Sequence, residues 1–275
     1  MTTPATPDAT PDATPGGAGE SWSGPRDLAS LGTRGFAALV ADSRPLVILV
    51  PVGSVEPHGP HMSLITDTVI SRGAAERAAL LLEAAGLAAR IAPAVPYGVT
   101  ECAARFAGAV SIPAPALTAY LHAVVAGFLA AGVDHVCLIN NHLEPAHDRA
   151  VRAAVAELAP GRASVACPLT RRWARTLSPE FKSGACHAGR YETSMIMARA
   201  PALIDEAARQ GLPEVPISLA DKLGAGISDF VEMGMDRAYA GAPAQASASE
   251  GDELLDRLAA MICTEVHEAL GALSR

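Results

Sequence analysis

The fold is decided by residues 45–67, PLVILVPVGSVEPHGPHMSLITD. The first part, PLVILVPVG, is a short unbroken apolar run ended by Gly53, which is typical of a strand buried on both faces of a sheet. After a polar loop, Thr66 or Asp67 can cap a helix that Gly86 stops. A buried strand, a loop and a helix in this order predict the opening βα unit of an α/β protein.

The same alternation of strand and helix continues along the chain. Further strands are expected at about residues 90–94, at 136–140 and near 165, and further helices at about 115–131, at 146–158, from 192 onward and at 252–270. This pattern predicts a three-layer αβα sandwich with a largely parallel central sheet. The carboxyl ends of parallel strands lie along one edge of such a sheet, where open α/β proteins build their sites.

Two regions are less regular than the rest. Residues 1–25 are rich in Pro, Thr, Ala and Gly and have too little apolar side chain to offset their ordering entropy, so they are expected to form a disordered tail. Residues 200–250 are Gly-rich and are expected over the site edge or at a subunit contact. Because no internal linker divides the remainder, residues 26–275 are expected to form a single domain.

Composition excludes several classes of protein. The chain has 21 basic and 29 acidic residues, a net charge of −8, and no basic run longer than Arg171-Arg172, which argues against nucleic acid or an anionic membrane as partner. No apolar stretch approaches the ~20 residues that span a bilayer, and the first residues lack the features of a signal peptide. Five cysteines without a CxxC pair fit reduced thiols, so a soluble cytoplasmic protein is expected. Cys186, beside His187, is a less favoured candidate nucleophile.

Three polar segments concentrate residues that bind metals or move protons. They are GSVEPHGPHMSLITD with Glu56, His58, His61 and Asp67, INNHLEPAHD with His142, Glu144, His147 and Asp148, and CHAGRYETS with His187 and Glu192. Carboxylates and imidazoles together suit Zn²⁺, Mn²⁺ or Fe²⁺. The first two segments follow predicted parallel strands, so the fold should bring them to one edge of the sheet. Asp148 has the simpler role of complementing a helix dipole, whereas His187 and Glu192 are candidates for a proton shuttle and for an extra ligand or base.

Taken together, these segments resemble the creatininase (creatinine amidohydrolase) family. The resemblance rests on PVGSVEPHGPHMSLITDT, INNHLEP and HAGRYETS, which occur in this order over about residues 45–200. It implies a creatininase-like αβα domain with two divalent metal ions per chain, Zn²⁺ or Mn²⁺, with Fe²⁺ as a further candidate. It also implies a homo-oligomer, since members of the family are often hexameric.

The resemblance assigns a role to each motif residue. It implies that one metal is bound by Glu56, Asp67 and His142, and that the other is bound by His58, Asp67 and either Glu144 or Glu192. Asp67 would bridge the two metals. His187 matches the catalytic histidine of the family, and Glu192 is the second candidate for a catalytic role.

The expected reaction is hydrolysis of a C–N bond in a small cyclic amide, a formamide or a short peptide by a hydroxide that the metals activate. Creatinine hydrolases carry an aromatic residue where Leu143 stands here and tryptophans closer to the catalytic histidine than Trp173, so creatinine itself is not the expected substrate. Two other functions stay open. One is a metal-binding pseudoenzyme or ligand-binding protein on the same fold, and the other is a metal-assisted lyase or isomerase in which Glu192 or His187 moves protons.

Overall fold

The computed structural model describes residues 24–273. The expected disordered tail falls almost wholly outside the described residues and stays a prediction. In the described part, four strands form one parallel sheet in the order β2-β1-β3-β4. The strands are β1 (Leu46–Val52), β2 (Ala88–Ile91), β3 (His135–Asn140) and β4 (Ala163–Ala166).

Helices and 3₁₀ turns connect and cover the strands. The α-helices are α1 (Thr33–Val40), α2 (Thr66–Ala84), α3 (Ala114–Ala130), α4 (Pro145–Ala153), α5 (Arg171–Ala174), α6 (Pro179–Ser183), α7 (Arg190–Arg199), α8 (Glu206–Gln210), α9 (Leu219–Gly224), α10 (Phe230–Met233) and α11 (Ala248–Leu273). Short 3₁₀ turns lie at Leu28–Ser30, Pro201–Leu203 and Pro243–Gln245. None of the helices in residues 24–273 combines the length and apolar character needed to cross a bilayer.

Successive side chains of β1 enter two separate cores. Val47 and Leu49 pack with apolar residues of α2, α7 and α11, whereas Ile48 and Val50 pack with residues of α1, α3 and α4. Every residue of β1 is buried, which explains why its sequence is apolar throughout rather than alternating. Helices on both faces of a parallel sheet confirm the predicted three-layer αβα sandwich.

The register of the sheet aligns the ends of its two longest strands. Val47 pairs with His135 and Val52 with Asn140, so β1 and β3 end side by side. The polar segments that follow them therefore start at the same edge of the sheet. A smaller apolar cluster that includes Cys102, Leu219 and Phe230 joins residues from the 200–250 region to the loop after β2.

The helix α4 is shorter than its sequence predicts. It ends at Ala153 rather than near residue 158, because the N–H groups that bond from Val155 onward do so three residues back instead of four. Val155 donates to Arg152, and Leu158 donates to Val155. The chain therefore continues as turns to β4, and the expected boundary at residue 158 was wrong.

A close contact between α7 and α11 fixes one wall of the site edge. A Cβ atom added at Gly251 of α11 would lie 1.8 Å from the backbone oxygen of Ser194 in α7. Only glycine permits this approach of the two helices. Because α7 carries Glu192 in its first turn, the contact helps to set the position of that carboxylate.

Candidate metal centre

Five candidate ligands converge at the carboxyl edge of the sheet. Glu56 and His58 lie in the loop after β1, His142 follows β3 by two residues, and Asp67 and Glu192 lie in the first turns of α2 and α7. All five side chains are buried. Residues separated by more than 130 positions in the chain therefore share one small polar region.

Asp67 lies between two histidines. Its Oδ1 is 3.1 Å from Nε2 of His58, and its Oδ2 is 3.1 Å from Nδ1 of His142. Helix α2 begins at Thr66 with no side-chain cap, so the expectation that Thr66 or Asp67 caps this helix was wrong. The carboxylate of Asp67 turns to the histidines instead.

The two glutamates complete two groups of metal-binding atoms. Glu56 Oε1 lies 3.1 Å from Nδ1 of His142, and Glu192 Oε2 lies 3.5 Å from Nε2 of His58. One group contains Glu56, Asp67 and His142, and another contains His58, Asp67 and Glu192. A third group overlaps with these two and contains Glu56, His58 and His187. Within each group the ligand atoms lie within 4.8 Å of one another, so each could surround one ion.

Backbone carbonyls fix which nitrogen of each histidine faces this centre. Nε2 of His142 donates to the carbonyl of Val99 at 2.7 Å, and Nδ1 of His58 donates to the carbonyl of Glu56 at 3.0 Å. A carbonyl only accepts, so the proton must sit on the outer nitrogen. The inner nitrogens, Nδ1 of His142 and Nε2 of His58, are therefore the atoms whose lone pairs a metal would use once it displaces any proton they carry. This is the usual arrangement of histidines that bind metals.

Charge and unpaired atoms also fit a metal. Within residues 24–273, Asp67 Oδ2 and His142 Nδ1 are buried without a hydrogen-bond partner of acceptable geometry. Buried polar atoms are normally satisfied, so both atoms fit the role of ligands. Burial raises the pKa of Glu56, but the nearby imidazoles of His142 and His187 outweigh it and hold this pKa at about 2. The carboxylate is thus ready to bind a cation.

His187 lies beside the two groups. Its Nε2 donates to the carbonyl of Pro57 at 3.0 Å, and its Nδ1 lies 3.6 Å from Glu56 Oε1. The ring stacks between His58 and Phe230, with centroids 4.6 Å from each. Burial lowers the pKa of His187 to about 4, so the ring is neutral at pH 7 and presents a lone pair at Nδ1.

The backbone next to His187 is strained. Ala188 has φ +52°, a conformation that costs energy for a residue with a Cβ atom. Its N–H donates to Glu192 Oε2 at 2.7 Å, while the carbonyl of His187 accepts from Ala240. These bonds hold the strained turn and couple the position of His187 to that of Glu192.

Four other polar residues of the motifs lie outside both ligand groups, and one of them, Asp148, pairs with Arg152 within α4. Glu144 accepts from the backbone N–H groups of Glu101 and Cys102. His61 contacts Thr193 at 2.9 Å, and His147 accepts from the N–H of Val99 at 3.2 Å. Of the two alternatives for the last ligand, the structure brings Glu192, and not Glu144, to His58 and Asp67.

Three residues that orient the ligands were not among the candidates predicted from the sequence. Thr100 donates its hydroxyl to Glu56 Oε2, and Val99 supplies the carbonyl that holds His142. Asn140 accepts the N–H of His142 at 2.9 Å. Asn140 could have been found from its place at the end of β3, but nothing in the sequence marks Val99 or Thr100 as neighbours of the metal-binding motifs.

A narrow pocket with a free volume of about 20 Å³, roughly the space that one water molecule needs, opens next to this centre. Glu56, His187 and the other polar residues form one side. Leu219, Leu223 and Phe230 form an apolar wall. The region between residues 200 and 250 therefore lies over the site edge, one of the two positions expected for it.

Known proteins show the same fold and family. A sequence profile of the creatininase family, described as creatinine amidohydrolase, matches residues 33–266. A protein of Mycobacterium tuberculosis (strain CDC 1551 / Oshkosh) named mycofactocin precursor peptide peptidase is 34% identical over 213 residues, which cover 74% of this chain and 78% of that protein.

Solved creatininase structures have the same fold. A structure described as creatininase Mn matches with a TM-score of 0.68 at 19% identity over 88% of this chain and 97% of that one. A creatininase variant of Zn–Zn type matches with a TM-score of 0.64 at 20% identity over 88% and 96%. The family expected from the sequence motifs is therefore confirmed, and the chain belongs to the creatininase family of metal-dependent amidohydrolases.

Proposed function

We propose that this amidohydrolase works with a binuclear centre in which Asp67 bridges two divalent ions. Glu56 and His142 hold one ion with Asp67, and His58 and Glu192 hold the other. The observation that carries the proposal is that the two oxygens of Asp67 face two different histidines at 3.1 Å each. The ligand types suit Zn²⁺ or Mn²⁺, with Fe²⁺ a further candidate, and Mn and Zn–Zn forms occur among the related creatininase structures.

Ions bound there would lower the pKa of a water molecule and polarise the carbonyl of the scissile amide. We propose that His187 moves the proton. Its outer nitrogen is occupied by the Pro57 carbonyl, so Nδ1 is the atom that can accept a proton as the water attacks. The same Nδ1 can then donate this proton to the departing nitrogen, which an amide leaving group requires.

The substrate we propose is a short peptide or a peptide-derived amide. A relative at 34% identity is named as a peptidase of a precursor peptide. The apolar wall of Leu219, Leu223 and Phe230 beside the polar centre favours an apolar side chain next to the scissile bond. The pocket is too small to enclose a long peptide, so the rest of the substrate would extend to solvent.

We also propose that residues 26–275 form one domain that assembles as a homo-oligomer, a hexamer as in many members of the family, in the cytoplasm. The continuous family match over residues 33–266 supports the single domain. Light scattering of the purified protein measures the assembly directly.

Metal analysis joined to a substrate screen tests the function. Protein purified without added metal is assayed against lactams, N-formyl compounds and short peptides. We expect hydrolysis of a short peptide that a chelator abolishes and that Mn²⁺ or Zn²⁺ restores. Tight ligand binding without turnover would indicate the ligand-binding alternative, and a product formed without incorporation of oxygen from water would indicate a lyase or isomerase.

A further inference from the structure

The turn between His187 and the start of α7 is attached at both of its ends to one short piece of backbone. We propose that Glu180 is a positioning residue whose carboxylate makes one of these two attachments, and that it thereby fixes Glu192. This role rests on the proposed function in one respect, since it takes Glu192 as a metal ligand.

Both oxygens of Glu180 accept from backbone N–H groups of other parts of the chain. Glu180 lies in α6, and its side chain is partly buried. Oε2 accepts from the N–H of Tyr191 in the first turn of α7 at 2.6 Å, and Oε1 accepts from the N–H of Ala242 at 2.7 Å. The carboxylate therefore joins the start of α7 to the segment that contains Ala242.

Two glycines make room for this carboxylate. A Cβ atom added at Gly189 would lie 2.8 Å from Oε2 of Glu180, and one added at Gly241 would overlap with Oε1. Gly189 is the N-cap of α7 and has no side chain that could accept from the first turn. Glu180 supplies this acceptor from another element.

The other attachment of the turn is a direct backbone bond. The N–H of Ala240 donates to the carbonyl of His187 at 2.8 Å. His187 and, through Glu180, Tyr191 are thus tied to residues 240–242, called here the anchor segment. A pair of backbone bonds joins the anchor segment in turn to Val215. Both ends of the turn are therefore fixed to one supported piece of chain.

The turn needs both attachments because its backbone is strained. Ala188 has φ +52°, and such a conformation persists only where the surroundings fix it. Its N–H donates to Glu192 Oε2 at 2.7 Å, and the same oxygen lies 3.5 Å from Nε2 of His58. If Glu180 releases the start of α7, the turn can relax at Ala188 and move Glu192 away from His58.

The two proposed ion sites differ in their dependence on this turn. Glu192 belongs to the group with His58 and Asp67, whereas Glu56 and His142 come from the loops after β1 and β3. A general loss of stability would weaken both sites. Loss of the attachment through Glu180 should weaken only the site that contains Glu192.

The test compares Glu180→Gln with Asp205→Asn. Glutamine has only one carbonyl oxygen, so it cannot accept from both N–H groups. The control makes the same change from carboxylate to amide at the N-cap of α8, a helix without a candidate ligand, where Asp205 accepts from the N–H of Ala208. Amide hydrogen exchange is measured on the metal-free proteins.

Mn²⁺ affinity is measured by titration for each ion site by itself. Glu56→Gln disables one site and Glu192→Gln disables the other, so each of these variants serves as a background. Glu180→Gln or Asp205→Asn is then added to each background. The change in affinity in each background reports on the site that remains.

We expect the amides of Tyr191 and Ala242 to exchange about tenfold faster or more in Glu180→Gln, as for a lost bond to a charged acceptor. The amides of Ala188 and Ala240 should also exchange faster, because the turn loosens as a unit. Asp205→Asn should leave the exchange of all four amides unchanged.

The two backgrounds should respond differently to Glu180→Gln. With Glu56→Gln, the Mn²⁺ affinity should fall by about 10- to 100-fold, the range for residues that orient metal ligands. With Glu192→Gln, the affinity should not change. Asp205→Asn should change neither affinity.

Faster exchange confined to Tyr191 and Ala242, with unchanged Mn²⁺ affinity in both backgrounds, would show a simple helix cap and overturn the proposal. Equal weakening in both backgrounds would also overturn it. If Glu180→Gln does not fold, Glu180→Asp, which keeps the charge but draws the carboxylate back, takes its place with the same criteria. A wild-type protein that binds fewer than two ions would refute the proposed function, while the exchange of Ala188 and Ala240 would still decide whether Glu180 holds the turn.

Discussion

Replacement of Thr100 by valine should weaken metal binding without changing the fold. Thr100 is fully buried, and its hydroxyl donates to Glu56 Oε2, leaving Oε1 directed at His142. Valine has a similar shape but no donor, so the carboxylate loses a bond of about 1.5–3 kcal/mol. In the variant, ion binding must order a carboxylate that the wild type has already oriented. If the whole energy of the lost hydrogen bond appears in metal binding, the affinity falls by about 10- to 150-fold.

Calorimetric titration of the metal-free protein with Mn²⁺, in the presence of a competing chelator where binding is tight, measures this loss. Thr100→Ser keeps the hydroxyl and should bind nearly as well as the wild type. Thr118→Val is the matched control, because the hydroxyl of Thr118 donates to the carbonyl of Ala150 between α3 and α4, away from the centre. Equal affinities for Thr100→Val and Thr118→Val would refute the reasoning.

Three further predictions concern packing, pH and proton transfer. Gly251→Ala should lower the Tm by roughly 5–10 °C, because the added Cβ would lie 1.8 Å from the backbone oxygen of Ser194. Gly271→Ala is the control and should not lower the Tm, because no atom lies within 4 Å of its added Cβ. Equal Tm values for the two variants in calorimetric scans would contradict the close packing of α7 and α11. In the metal-free protein burial lowers the pKa of His58, but the surrounding carboxylates raise it to about 10, so an incoming ion must displace a proton. Below pH 10 the apparent metal affinity should therefore rise about tenfold per pH unit for each proton that the ion displaces. Calorimetry in buffers of different ionisation enthalpy measures this proton release. An affinity that does not change with pH would contradict the prediction. His187→Ala should keep its metal content while the catalytic rate falls by roughly 10²- to 10⁴-fold; metal loss that excess metal rescues would instead show a ligand.

The fold was largely predictable because its strongest signals are local. The apolar run of β1 indicates burial on both faces, and the structure places its alternate side chains in two cores. The convergence of the loops after β1 and β3 follows from parallel strands that end side by side. The sequence therefore predicted that Glu56 and His142 meet, although they lie 86 positions apart in the chain.

The contacts that orient the ligands were not predictable, because they depend on the path of a loop without regular secondary structure. Thr100 and Val99 reach Glu56 and His142 from a loop that carries no metal-binding motif. The sequence left Glu144 and Glu192 as alternatives. In the structure Glu192 lies near His58, whereas Glu144 accepts from N–H groups of this loop.

The bridging role of Asp67 is tested most directly by counting metal ions per chain. Elemental analysis after saturation with Mn²⁺ or Zn²⁺ and removal of free metal should give about two ions for the wild type and none for Asp67→Ala. Asp148→Ala is the control, because Asp148 pairs with Arg152 in α4 outside both ligand groups, and it should keep both ions. Retention of one tightly bound ion by a folded Asp67→Ala protein would contradict a shared bridging carboxylate.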